Sequence, residues 1–115
     1  MSEELTLTSF ETFLSRKPYS VVHVDASWDG YRKQIEDQIK RIETDSTDVS
    51  FGYADCDKER DLARRMRILN LPSVAYYKGI DLIAVVVGIK QNISENIKLV
   101  KDNKVLDTSN ILSRG

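Results

Sequence analysis

The chain has 115 residues, 41% of them hydrophobic, with seventeen Lys and Arg against eighteen Asp and Glu. That length supports one domain with one core, and the near-neutral balance excludes a global field that would draw the protein to nucleic acid or an anionic membrane. Cys56 is the sole cysteine, which excludes an intramolecular disulfide, a CxxC pair and a cysteine-built metal centre.

The start carries Glu3 and Glu4 where a secretory leader would be basic and then apolar, and no apolar run reaches membrane-spanning length. A cytoplasmic location is expected. Leu5 and Leu7 allow a short first strand. Phe10, Phe13 and Leu14 recur at helical spacing after Thr8 or Ser9, and Lys17-Pro18 ends that helix.

Residues 19–25 (YSVVHVD) are β-branched and mostly apolar, as in a strand covered on both faces. From Asp29 onward Ile35, Ile39 and Ile42 make one helical stripe, with Glu36 and Lys40 expected to pair at i, i+4 on the outer side. A polar turn at 44–48 leads to a strand at 49–56 (VSFGYADC), bulky at Phe51 and Tyr53. Asp57 can cap the next helix, whose core face is Leu62, Met66 and Leu69.

Residues 73–78 (SVAYYK) and 82–87 (LIAVVV) are two strand runs, separated by so few residues that they predict an antiparallel hairpin. Ser94 is expected to cap a final helix with Ile97 and Val100 facing inward. Residues 101–115 have a polar composition, relieved by the apolar pairs Val105-Leu106 and Ile111-Leu112. Four side chains return less than the entropy of ordering fifteen residues, so the segment is expected to be a mobile tail whose pairs dock only in a complex.

The stretch 21–32 (VVHVDASWDGYR) resembles the thioredoxin segment that ends in WCGPC, and it can be laid on it without a gap. Trp28 and Gly30 match; Asp29 and Arg32 stand where the two cysteines belong, and Tyr31 where the motif's proline is usual. Farther on, Asp57, Pro72, Lys78 and Gly88 fall in register with the family's aspartate, cis-proline, hairpin lysine and late glycine. The resemblance implies an α/β thioredoxin fold over residues 1–100, a central mixed sheet of four to five strands flanked by helices, followed by the 101–115 tail.

The departures remove the chemistry. A thioredoxin cysteine is activated at a helix N-terminus and resolved by a second thiol, whereas Asp29 offers no thiol. Asp29 at a helix start and Arg32 three residues later are spaced to pair. His23 stands where the family often keeps a buried acid, and Asp25 lies on the same strand face within reach. Cys56 is expected to behave as a small buried hydrophobe. Arg60, Arg64 and Arg67, with Arg65 beside them, make a basic helix face, ordinarily a solvated one.

By resemblance, Leu71 and Pro72 keep the part of the old active site that offers its backbone to an extended peptide. Trp28, Asp29, Gly30, Tyr31, Arg32, Leu71 and Pro72 are therefore the candidate peptide-binding residues. No catalytic residue, metal or cofactor is implied. The expected role is a redox-inactive module that binds a protein or peptide. Its alternatives are a monothiol redox protein acting through Cys56 and a structural subunit of an assembly.

Overall fold

In the computed structural model, which describes residues 2–106, five strands form one sheet in the order β1-β3-β2-β4-β5. They are β1 (Glu3–Glu4), β2 (Tyr19–Asp25), β3 (Val49–Asp55), β4 (Ser73–Lys78) and β5 (Asp81–Val87). β1 and β2 run parallel to β3, while β4 is antiparallel to both β2 and β5. The helices are α1 (Phe10–Ser15), α2 (Arg32–Ile42), α3 (Arg60–Arg65) and α4 (Ile93–Lys101), with a 3-10 turn at Glu43–Asp45 after α2. This is the mixed sheet flanked by helices that the sequence implies.

Strand alternation divides the core in two. Val22, Val24, Ala54, Ala75 and Tyr77 meet Phe10, Phe13 and Leu14 of α1 and Leu62 and Ala63 of α3 on one face. Val21, Phe51, Val74, Tyr76 and Val86 meet Ile35 and Ile39 of α2 and Ile93, Ile97 and Val100 of α4 on the other. Each fully buried aliphatic or aromatic side chain contributes about 1.5–3 kcal/mol, so the layers hold the sheet without a disulfide.

Several local expectations are corrected. α3 ends at Arg65 because Arg67 takes a left-handed conformation (φ 62°), which turns the chain and leaves Leu69 89% exposed instead of in the core. Arg67 therefore lies beyond the helix, while Arg64 pairs with Asp61 and Arg65 with Glu11, so the arginines form no single free face. α4 is capped by Asn92, whose side chain accepts the Glu95 N–H at 3.1 Å, rather than by Ser94. The outer i, i+4 pair of α2 is Lys33 with Asp37, and Glu36 turns inward instead. The first strand is Glu3–Glu4; Leu5 follows it into the core.

α4 extends to Lys101 and residues 102–106 continue from it. Leu106 packs into the α2/α4 core, whereas Val105 is 93% exposed. Leu106 thus docks on the domain itself, contrary to the expectation that this pair docks only in a complex. The Ile111-Leu112 pair lies outside the described residues. Among the described residues, no helix is long and apolar enough to cross a membrane.

Candidate functional site

Parallel pairing of β2 with β3 ends at Asp25 opposite Asp55, and antiparallel pairing of β2 with β4 reaches Val24 opposite Ser73. One end of the sheet therefore gathers the loop after β2, the loop after β3 and the Leu71–Pro72 turn. The Leu71–Pro72 peptide bond is cis, Pro72 is buried, and its carbonyl accepts the Gly88 N–H at 2.8 Å. Gly88 has φ 106°, a backbone that L side chains rarely adopt, which explains a glycine there. The following loop is fixed by Gln91, which donates to the Val86 and Gly88 carbonyls and accepts from the Tyr76 hydroxyl.

The loop between β2 and α2 carries most of the candidates. Trp28 donates its indole N–H to Asp57 at 2.8 Å, so Asp57 braces the tryptophan and does not cap α3. Trp28 is nevertheless 71% exposed, and Tyr31, three residues on, is half exposed. Asp29 accepts the Tyr31 N–H at 3.0 Å, an Asx turn that ends the loop, and α2 begins only at Arg32. The expected Asp29 to Arg32 ion pair is absent among the described contacts. Arg32 lies over the Tyr53 ring, 4.0 Å from its centroid. Leu71 is partly buried against the α1/α3 core.

Behind this loop is a buried chain of ionisable groups. His23 is fully buried; its Nδ1 is 2.6 Å from Glu36 and its Nε2 3.3 Å from Asp25, which is also fully buried. Asp25 in turn accepts the Ala26 N–H at 2.8 Å. Burial opposes a charged imidazole, but hydrogen bonds to Asp25 and Glu36 and their charges prevail and hold His23 above its ordinary value. For Glu36 burial likewise opposes ionisation, and hydrogen bonds from His23 and Ser2, together with the His23 and Arg32 charges, prevail to hold the carboxyl below the usual range.

The His23 to Asp25 contact follows from strand alternation. Glu36 and Tyr53 were not legible as parts of the site. The available signal for Glu36 was its position three residues before Ile39, at the flank of the apolar stripe rather than opposite it.

Asp29 is held above its ordinary value by a hydrogen bond with Asp25, then by burial, against the Tyr31 N–H. A carboxyl shifted upward contributes stability below its ordinary value near 3.8 and loses it as pH rises through the shifted value. At pH 7 the ionised Asp29 is therefore a net cost. Asp29→Asn keeps the acceptor for Tyr31 and is expected to stabilise the fold at pH 7 by a few tenths to about 1 kcal/mol. Urea midpoints at pH 7 and pH 3.5 check this, since the advantage must shrink at acid pH.

Cys56 is partly buried at the end of β3, where burial first and then Asp57, Asp55 and Asp25 push its thiol up. This setting is the opposite of the electropositive one that makes a reactive thiolate. Among the described residues, no group of His, Cys, Asp and Glu is arranged to hold a metal ion.

The thioredoxin family model matches residues 1–103. Thioredoxin-2 of Saccharomyces cerevisiae is 32% identical over 82 residues, spanning 67% of this chain and 79% of that protein. The oxidised mitochondrial thioredoxin 3 of the same yeast superposes with a TM-score of 0.75 at 25% identity, over 88% of this chain and 94% of that one. Oxidised thioredoxin from Plasmodium falciparum gives 0.75 at 19% identity, over 91% and 100%. With cis-Pro72, the Trp28 loop and this sheet order in place, the chain belongs to the thioredoxin family, as a member whose single cysteine leaves it without the CxxC motif.

Proposed function

We propose that this protein is a redox-inactive thioredoxin-like domain that binds an extended protein or peptide segment through the Trp28 loop and the Leu71–Pro72 turn. The observation that carries this reading is a rigid yet exposed aromatic: Trp28 is held by Asp57 at 2.8 Å while 71% of its surface faces solvent. A large apolar ring fixed in advance loses little entropy on binding, which is why tryptophan dominates recognition surfaces. Tyr31 extends the same loop, and no dithiol competes for the role. A cytoplasmic setting is part of the proposal, since it suits a chain with one unactivated thiol.

The reading makes two expected results. Insulin disulfide reduction by the purified protein remains at the buffer rate, because Cys56 has neither an activating charge nor a partner thiol. Peptides selected against the folded protein from a displayed random library bind through the loop, so Trp28→Ala weakens them about tenfold or more. Turnover at the rate of a thioredoxin removes the first half of the proposal. Selected peptides indifferent to Trp28→Ala remove the second.

A further inference from the structure

We propose that Gln91 is a positioning residue for the binding surface proposed above: with Gln38 it clamps the Leu71–Pro72 turn to α2, the helix that the Trp28 loop leads into. The service of the clamp to binding rests on the peptide-binding reading; the clamp itself does not.

Gln91 stands in the loop between β5 and α4, and its amide is fully occupied. Oε1 accepts from the Tyr76 hydroxyl at 2.9 Å, while Nε2 donates to the Gly88 carbonyl at 2.8 Å and to the Val86 carbonyl at 3.2 Å. A primary amide has two N–H donors, and each here has its own carbonyl. Those carbonyls bracket Val87, the last residue of β5, so the side chain sets where the strand ends and how the chain turns at Gly88 (φ 106°). Gly88 in turn donates its N–H to the Pro72 carbonyl at 2.8 Å, which ties the Leu71–Pro72 turn to the position that Gln91 imposes.

The other end of the clamp is on α2. Gln38 donates from Nε2 to the Gln91 carbonyl at 2.9 Å and accepts the Ile93 N–H on Oε1 at 3.1 Å. One side chain of α2 thus holds the backbone on both sides of Asn92, the residue that caps α4. An unbroken run of hydrogen bonds leads from α2 through Gln38, Gln91 and Gly88 to Pro72. It joins the two arms of the proposed surface, the helix that follows the Trp28 loop and the cis-proline turn.

The remaining polar groups hold Gln91 in one orientation. Tyr76 is 1% exposed, and its hydroxyl also accepts from Asn96 Nδ2 at 3.0 Å. Burial pushes the phenol well above its usual value, so Tyr76 stays a donor to Gln91 at any physiological pH. The neighbours of Tyr76 in this core, Val74, Val86, Ile93 and Ile97 among them, are apolar. A fully paired polar network in such a core fixes geometry more than it adds net stability, because burying its groups costs much of what their hydrogen bonds return.

The test compares three variants of the full chain. Gln91→Met and Gln38→Met keep the side-chain length and remove the hydrogen bonds, whereas Ile97→Val takes one methylene from the same core and removes none of them. Each is followed by its urea midpoint, by hydrogen exchange of the Gly88 amide relative to the amides of β2, and by affinity for library-selected peptides whose binding depends on Trp28. In Gln91→Met the Gly88 amide is expected to exchange at least about tenfold faster and the peptides to bind at least about tenfold more weakly. Gln38→Met is expected to move both in the same direction, severalfold. Ile97→Val lowers the urea midpoint and moves neither. Unchanged Gly88 exchange in both glutamine variants overturns the clamp. Faster exchange with undiminished peptide affinity overturns the positioning role, as does an equal loss of affinity in Ile97→Val, which assigns the effect to stability. Peptides indifferent to Trp28→Ala remove the binding reading and the positioning role with it, while fast Gly88 exchange in Gln91→Met still supports the clamp.

Discussion

Replacing His23 by leucine is expected to destabilise the protein by about 3–5 kcal/mol near pH 6, the range for removing one partner from a buried ionic network. The imidazole bridges Asp25 and Glu36, and leucine leaves the fully buried Asp25 carboxylate with no cation. The pH dependence identifies the cause. A histidine held above its ordinary value near 6.5 stabilises the fold fully below that value and loses the contribution as pH rises through the shifted one. Glu36 is held below its ordinary value near 4.5, so its contribution is present above that pH and lost as pH falls through the shifted value. The gap between wild type and variant in urea unfolding is therefore widest between about pH 4.5 and 6.5 and narrows by pH 9. His23→Gln, which keeps a donor for one carboxylate, recovers part of it. Equal stability of wild type and His23→Leu at pH 6 means that the network contributes nothing.

Gly52→Val is expected to cost more than the roughly 1–3 kcal/mol of ordinary overpacking, and Gly52→Ala to fall within that range. A Cβ at position 52 comes 2.7 Å from Leu5 Cδ1 and 2.9 Å from Phe13 Cζ. Neither neighbour has room to retreat. Leu5 is fully buried and tied by its N–H to the Tyr53 carbonyl at 2.8 Å, and Phe13 is 1% exposed in the α1/α3 core. The double variant Leu5→Ala with Gly52→Ala should be more stable than the sum of the two single effects predicts, because the new methyl enters the space that leucine vacates. Chemical denaturation of the three variants measures the coupling, and strict additivity contradicts the close approach.

Periodicity sufficed for elements whose residues act through burial. The Ile35 and Ile39 stripe, the alternation of Val22 and Val24 against Val21, and the hairpin about Gly79 are local patterns with one physical meaning. Helix ends were less legible, because capping depends on which of several adjacent polar side chains reaches the turn. Asn92 and Ser94 both had the chemistry, and backbone direction decided for Asn92.

The site shows the same limit. Asp29 and Arg32 have the spacing of an ion pair, yet Tyr53, brought alongside by β3, offers the guanidinium a flat surface, while the Tyr31 N–H occupies Asp29. The bracing of Trp28 by Asp57 joins residues twenty-nine positions apart. No period reports such a contact; only the sheet register brings it about.

The Trp28 to Asp57 hydrogen bond has a spectroscopic consequence. Since Trp28 is the chain's one tryptophan, all indole fluorescence originates in this loop. Trp28 is 71% exposed in the native state, so unfolding moves its emission wavelength little, and global melting is better followed by circular dichroism. Emission intensity is instead sensitive to the carboxylate held against the indole N–H, and on the proposed peptide-binding role it would change as a bound segment covers the ring or pulls it from Asp57. The loop thus contains its own optical probe, one that tests the proposed binding apart from stability.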